Sequence, residues 1–185
     1  MKAIGYINNL PISHNESLVD FEQAQPNAQG HDLLIKISAI AVNPVDTKIR
    51  QNVVSQNGDY KVIGWDAVGE VVATGDKVSQ FKPGDKVFYA GDLTRPGSNA
   101  EYQLVDERIV GHKPKSLNNA ETAALPLTAI TAYELLFDRL AIQTQAPGSN
   151  IKTDEIILVV GAAGGVGSIL IQLAKAISGA TIIGT

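Results

Sequence analysis

The sequence predicts an α/β protein with a β-rich first part and, at its end, the start of a doubly wound parallel sheet. Three observations support this fold class. Short strand-like segments separated by turns fill the chain up to about Pro114. The run from Glu155 to Val160 (EIILVV), which is apolar after its first residue, is typical of a strand buried on both faces of a parallel sheet. A glycine-rich turn follows that run directly, as in a nucleotide-binding β-α-β unit.

The first part is predicted to consist of short strands that form a small barrel or sandwich. The pattern Lys82-Pro83-Gly84-Asp85 predicts a type II turn, because it places Pro and Gly in the two central positions. The predicted strands are Met1 to Ile7, Leu33 to Val42, Val68 to Thr74, Val87 to Ala90 and Ala100 to Val105.

Helical patterns begin near Asn118, which is suited to cap a helix with Glu121 in its first turn. The apolar spacing predicts helices over Leu127 to Leu140 and Val166 to Ser178, and a second parallel strand over Thr181 to Gly184. The predicted organisation is therefore a β-rich domain over 1–117, a connecting helical segment over 118–150 and a first β-α-β unit over 151–185. Since a doubly wound sheet has about six strands, we expect on the order of 100 further residues in the parent protein.

The turn from Gly161 to Gly167 is the predicted cofactor site. Small residues let the backbone approach a pyrophosphate, and the helix that follows directs its positive dipole end there. The residues expected to bind the cofactor in this turn are Ala163, Gly164, Gly165, Val166 and Gly167. The alternative is a turn that serves packing only, since Ala162 replaces the first glycine of the GxGxxG pattern.

Charge and composition exclude several classes of protein. The net charge is −4 and the basic residues are scattered, which argues against binding to nucleic acid or to a membrane surface. We expect a cytoplasmic protein, because the N-terminal sequence has no apolar run typical of a signal peptide. The chain has no cysteine, which excludes disulfides and thiolate metal sites. The histidines, His14, His31 and His112, are far apart, and we expect surface or capping roles for them.

Five short motifs occur in order along the chain. They are Ala41 to Arg50 (AVNPVDTKIR), Gly64 to Val72 (GWDAVGEVV), Phe81 to Val87 (FKPGDKV), Leu125 to Glu134 (LPLTAITAYE) and Gly161 to Gly167 (GAAGGVG). These motifs resemble those of the medium-chain dehydrogenase/reductase superfamily, specifically its zinc-free, quinone-oxidoreductase-like branch. The resemblance implies a GroES-like β-barrel catalytic domain followed by a Rossmann domain, with the active site in the cleft between them.

The same resemblance predicts that no metal is bound. Zinc-dependent relatives place a cysteine within the segment that here runs from Asn43 to Asp46, and a histidine in a Gly-His-Glu motif. In this chain that motif is Gly64-Trp65-Asp66. We expect Trp65 to fill the space of the missing metal and ligands, and to form one wall of the acceptor pocket.

By resemblance, Asn43 and Asp46 line the catalytic cleft, and Lys48 stabilises an enolate or contacts a cofactor phosphate. Thr128 resembles a residue that contacts the cofactor. Each has a structural alternative: Asp46 caps the turn after Pro44, Lys48 is a solvated lysine on a turn, and Thr128 is an ordinary helix N-terminal threonine.

The resulting prediction is hydride transfer from NADPH to a quinone or an α,β-unsaturated carbonyl compound without a metal, with NADH as the alternative cofactor. The preference for NADPH comes from the family. The partner would be a small molecule, and the full-length parent would allow a homo-oligomer. The alternatives are reduction of another small carbonyl compound, or a non-catalytic member that binds nucleotide or acts as a scaffold. We expect the 185-residue chain alone to have little activity.

Overall fold

The computed structural model describes residues 1–149 and 151–185, so Asn150, the last residue of the predicted connecting segment, lies outside the described residues. The chain divides into two compact units, Met1–Pro126 and Leu127–Thr185. The predicted order, with a β-rich part first and a β-α-β unit last, is confirmed. The division after Pro126 falls inside the predicted connecting segment.

The first unit is built on two antiparallel sheets. A three-stranded sheet has the order β2-β1-β4, and a five-stranded sheet has the order β7-β3-β5-β6-β8. A bridge between Ala3 and Ala100 joins β1 to the segment that leads into β7. The strands are β1 (Lys2–Tyr6), β2 (Val19–Glu22), β3 (Asp32–Ala41), β4 (Lys61–Val62), β5 (Asp66–Thr74), β6 (Lys86–Ala90), β7 (Tyr102–Asp106) and β8 (Val110–His112).

The core of this unit lies against the five-stranded sheet. Strand β3 is the longest and pairs with both β5 and β7, which its apolar and β-branched sequence favours. The predicted type II turn before β6 is confirmed by Gly84, whose φ is +97°, and by the Asp85 amide, which donates to the Lys82 carbonyl oxygen at 3.1 Å. The buried core residues are Leu33, Ile35, Ala67, Val71, Val87, Tyr89 and Val105.

Five elements of this unit were not predicted: β2, β4, β8, the helix α1 (Pro44–Asn52) and a 3-10 helix (Glu107–Ile109). The expected turn after Asn43 is in fact the start of α1. Pro44 occupies the first helical position, where its missing N–H removes no intrahelical hydrogen bond. Asp46 stands two residues later, where its carboxylate can accept the amide hydrogen of Asn43.

The helices that follow agree with the prediction at their start and differ later. Asn118 caps α2 (Asn119–Ala123) as predicted, and Asn118 and Glu121 in addition exchange hydrogen bonds. The helix expected over Leu127 to Leu140 is instead α3 (Pro126–Tyr133) followed by a π-helix (Glu134–Arg139). Its wider turn is seen in the Leu140 amide, which donates to the Leu135 carbonyl oxygen at 3.0 Å. Within the described ranges, no helix combines the length and hydropathy that a bilayer crossing requires.

The second unit contains the predicted β-α-β arrangement: β9 (Ile156–Val159), α4 (Gly165–Ile177) and β10 (Thr181–Gly184), with the two strands parallel. The expectation that β9 is buried on both faces is wrong for this chain. Ile157 and Val159 pack in the core with α4, whereas Ile156 and Leu158 are 68% and 61% exposed. The reason is that α4 covers only one face of this two-stranded sheet.

Candidate functional site

The glycine turn between β9 and α4 is held in a shape that only small residues allow. Gly161 has a φ of +73°, and the Gly164 amide donates to its carbonyl oxygen at 3.0 Å. A Cβ at Gly167 would lie 2.4 Å from the Gly161 carbonyl oxygen and 2.8 Å from the Ala162 Cα. Glycine at position 167 therefore lets α4 begin directly against the end of β9.

The predicted cofactor residues lie together on this turn. Ala163, Gly164 and Gly165 are exposed, whereas Val166 is half-buried and Gly167 is buried. The first amides of a helix have no intrahelical acceptor, and together with the helix dipole they favour an anionic group. The exposed turn at the start of α4 therefore has a geometry that suits the binding of a phosphate group.

Thr128 lies beside the same turn. Its Cγ2 is 3.4 Å from the point that a Cβ on Gly165 would occupy, which is ordinary van der Waals contact. The structure therefore brings Thr128 together with the glycine turn inside the second unit. Its contact with a cofactor stays a prediction, and its position in the first turns of α3 also satisfies the structural alternative.

A second group of polar residues lies in the first unit, at the start of α1. The Asn43 amide donates to Asp46 Oδ2 at 2.7 Å. Burial raises the pKa of the Asp46 carboxyl, while backbone N–H groups of Asn43, Asp46 and Gly64 that donate to it act in the opposite direction. Asp46 therefore caps the helix, as the structural alternative expected. Its role in the catalytic cleft stays a prediction.

Asp66 belongs to this group and was not predicted as a site residue. It is fully buried, and its Oδ2 accepts a hydrogen bond from Asn43 Nδ2 at 2.9 Å. The available signal was the Gly64-Trp65-Asp66 motif, which had been used only for the resemblance. The partner, Asn43, is 23 residues away in sequence, so the contact could not be inferred from local spacing.

Trp65 and Lys48 have opposite environments. Trp65 is 1% exposed, packs with Tyr6 and Ile63, and donates its indole N–H to the Asp92 carbonyl oxygen at 3.1 Å. The indole thus occupies core volume, and its role as a wall of the acceptor pocket stays a prediction. Lys48 is exposed on α1, not on a turn, and its proposed contact with an enolate or a phosphate stays a prediction as well.

The histidines have local structural contacts, as expected for surface or capping roles. His14 Nδ1 accepts from the Glu16 amide at 3.1 Å, His31 Nδ1 is 3.0 Å from Glu107 Oε1, and the His112 ring packs on Phe81. Across the described part of the chain, no three His, Cys, Asp or Glu side chains form a group that could hold a metal ion.

Comparison with known proteins identifies the first unit. Residues 29–115 match the family described as the alcohol dehydrogenase GroES-like domain. The chain is 45% identical over 185 residues to a zinc-type alcohol dehydrogenase-like protein of Staphylococcus aureus, a match that covers 100% of the chain and 54% of that protein. It is 38% identical over 193 aligned positions to the 2-methylene-furan-3-one reductase of Solanum lycopersicum, covering 96% of the chain and 43% of the reductase. The chain thus spans about half the length of these curated relatives.

Solved structures show the same likeness over the whole chain. A putative zinc-dependent alcohol dehydrogenase of Rhizobium etli is 52% identical, with a TM-score of 0.90 over 100% of this chain and 52% of that one. The Escherichia coli quinone oxidoreductase in complex with NADPH is 28% identical, with a TM-score of 0.73 over 100% of this chain and 52% of the other. The GroES-like domain, the β-α-β unit with its glycine turn and these likenesses lead to one conclusion: residues 29–115 belong to the alcohol dehydrogenase GroES-like domain family, and the chain as a whole is similar to proteins of the medium-chain dehydrogenase/reductase superfamily.

Proposed function

We propose that the protein transfers a hydride from NADPH to a quinone or an α,β-unsaturated carbonyl compound without a metal. The observation that carries this proposal is the environment of the two segments in which, by resemblance, zinc-dependent relatives have metal ligands. Trp65 is buried in the core, and the Asn43 side chain is hydrogen-bonded to Asp66. Neither an indole nor a carboxylate-bound amide is a zinc ligand, and the chain has no cysteine.

The residues present therefore do not fit a zinc site, although some relatives carry zinc in their names. Without a Lewis acid, the oxidation of an alcohol lacks the group that stabilises the alkoxide. Electron-poor acceptors do not need that stabilisation before hydride transfer. The names of two relatives, a quinone oxidoreductase and a reductase of a conjugated methylene ketone, support this class of acceptor.

The glycine turn fits the pyrophosphate of a nicotinamide dinucleotide. Ala163, Gly164 and Gly165 are exposed at the start of α4. The close approach of Gly167 to Gly161 places the start of α4 next to the end of β9. When bound, the reduced nicotinamide supplies the hydride. The choice of NADPH over NADH is supported by the NADPH complex of the E. coli relative.

The first unit supplies the polar groups for the acceptor. As hydride reaches a quinone or an enone, negative charge develops on the carbonyl oxygen, and a fixed hydrogen-bond donor stabilises it. We assign this donor role to Asn43, with the Lys48 ammonium as additional electrostatic support. Asp46 fixes the backbone of Asn43 by accepting its amide hydrogen. The small-molecule acceptor, a cytoplasmic location and a homo-oligomeric state stay predictions.

The test is a screen of cofactors and acceptors with the product of the complete gene. The reaction is measured as the loss of absorbance of the reduced nicotinamide. NADPH and NADH are each combined with a simple quinone, an enone and a plain ketone, with and without a chelator. We expect turnover of the quinone or the enone with NADPH that the chelator does not change, and none of the plain ketone.

Loss of activity with the chelator, restored by added zinc, would contradict the metal-free mechanism. Binding of NADPH without turnover of any acceptor would favour a non-catalytic nucleotide-binding protein. The 185-residue chain is measured in parallel, where we expect little activity. A rate equal to that of the whole gene product would contradict that expectation.

A further inference from the structure

Two segments that are apart in sequence are joined through Asn43 and a carboxylate. Asp66, in the Gly64-Trp65-Asp66 segment, accepts a hydrogen bond from Asn43 Nδ2 at 2.9 Å. The backbone amide of Asn43 donates to Asp46 Oδ2 at 2.7 Å. Asn43 is thus held by one carboxylate through its side chain and by another through its backbone.

Gly64 makes this arrangement specific. Its φ is +99°, and a Cβ there would lie 2.5 Å from Asn99 Oδ1 and 2.7 Å from Ser98 Oγ. The backbone at Gly64 is therefore fixed in a conformation that other residues rarely adopt, and this places Asp66 reproducibly against Asn43.

The bond to Asp66 determines which way the Asn43 amide faces. The amide nitrogen of Asn43 donates to Asp66 Oδ2, so the amide oxygen, on the other branch of the same side chain, faces away from Asp66. The nitrogen carries two hydrogens, and one of them is used in this bond. The second hydrogen has a fixed direction for as long as Asp66 holds the first.

We propose that Asp66 is a positioning residue, which fixes the Asn43 amide so that its second N–H donates to the carbonyl oxygen of the acceptor. The inference rests on the proposed function, because it concerns the same acceptor. Asp66 would not touch the acceptor itself; it would act through Asn43. The burial of a carboxyl group is costly unless hydrogen bonds offset it, and the bond from Asn43 Nδ2 is one of the contacts that do so for the fully buried Asp66.

The experiment combines Asp66→Asn with Asn43→Ala in a double-mutant cycle on the product of the complete gene. The asparagine has the same shape as Asp66 but can offer either an oxygen or a nitrogen, so the Asn43 amide loses its fixed direction. We expect kcat for the enone to fall at least 10-fold in Asp66→Asn, with the KM for NADPH unchanged within a factor of about 2. In the Asn43→Ala background, Asp66→Asn should cause no further loss. Asp20→Asn, an exposed acid on β2, is the matched control and should retain the wild-type kcat.

The direction of the amide is read independently of activity, from the Asn43 side-chain ¹H–¹⁵N signals of the 185-residue chain. We expect one proton of this amide to be shifted downfield and protected from exchange, and to lose both properties in Asp66→Asn. Unchanged signals in Asp66→Asn, or an equal loss of kcat in both backgrounds, would overturn the positioning role. If the wild-type enzyme turned over no acceptor, the proposed function and the acceptor contact would both fail. The NMR signals would still decide whether Asp66 fixes the amide.

Discussion

Glu107 is a buried carboxylate that accepts hydrogen bonds from several groups. Its environment predicts how the stability of the protein depends on pH. Its Oε2 accepts the amides of Ser79 at 3.0 Å and Gln80 at 2.9 Å, and its Oε1 lies 3.0 Å from His31 Nδ1. The Gln80 amide, then the His31 ring, lower the pKa of Glu107 below its usual 4.5. One side chain thus connects two loops to the end of β7.

The free energy of unfolding should therefore fall as the solution is acidified. A carboxyl whose pKa is lower in the folded than in the unfolded protein stabilises the fold at pH values above its unfolded pKa. This stabilisation is lost as the pH falls through the folded pKa, so we expect the decline at acid pH, below the usual pKa of 4.5. Urea unfolding across this range measures it.

Glu107→Gln tests the assignment, because glutamine keeps an acceptor oxygen but cannot lose or gain this charge. We expect the variant to be less stable at neutral pH and to show a shallower acid decline than the wild type. Glu16→Gln, at an exposed position, serves as the control and should follow the wild-type curve. A Glu107→Gln curve parallel to the wild-type curve would show that other groups cause the decline.

At the scale of elements, the junction of β9 and α4 depends on Gly167. An alanine there would place its Cβ 2.4 Å from the Gly161 carbonyl oxygen. Because the Cβ and this oxygen are both attached directly to the backbone, the clash can be relieved only if the start of α4 moves. We expect Gly167→Ala to destabilise the protein by about 1–3 kcal/mol, as overpacking does. We also expect it to weaken NADPH binding, because the helix start moves.

The measurement is thermal unfolding with and without NADPH, since a ligand that binds only the folded state raises the midpoint with its concentration. Gln172→Ala, at an exposed position on α4, is the control for a change in the same helix. If NADPH raised the unfolding midpoint of Gly167→Ala as much as that of the wild type, the geometry of the glycine turn would not be required for NADPH binding.

Elements whose cause is local could be predicted from the sequence, and elements whose cause is distant could not. The cap formed by Asn118 and Glu121 depends on four consecutive residues, and the structure confirms it. In contrast, α1 was missed because Pro44 suggests a turn when the helical pattern after it is weak. The burial of only one face of β9 depends on what packs against the sheet, and no pattern within the strand contains that information.

The candidate site divides in the same way. The glycine turn was found because its residues are contiguous and lie between a strand and a helix. Asp66 and Glu107 were missed as interacting acids because their partners come from distant segments, 23 and 76 residues away for Asn43 and His31. One sequence contains no signal for such pairs.

At the scale of the whole molecule, the two units have separate hydrophobic cores. Leu136 is fully buried in the core of the second unit with Ile157 and Leu170, and Val71 is fully buried in the core of the first. Truncation of a buried Leu to Ala typically costs about 2–5 kcal/mol, because it removes apolar contacts and leaves a cavity. We expect Leu136→Ala to loosen residues 127–185 far more than residues 1–126.

Hydrogen exchange measured by mass spectrometry distinguishes the two units directly, because it reports local opening along the chain. In Leu136→Ala, faster exchange should concentrate in β9, α4 and β10. Val71→Ala, the matched variant in the other core, should show the reverse pattern. An equal increase across both units in either variant would mean that they unfold as a single cooperative body.

The contact between Asn43 and Asp66 and the burial of Trp65 make the evolution of these positions interdependent. Asn43→Cys would remove the donor to a buried carboxylate, and Trp65→His would empty core volume and remove the donor to the Asp92 carbonyl oxygen. Each single step costs stability, and neither yields a pair of metal ligands while the other is missing. Replacing both residues would therefore combine two separate losses of stability, one at the buried carboxyl group and one in the core. The stability of the first unit thus constrains substitution at both positions.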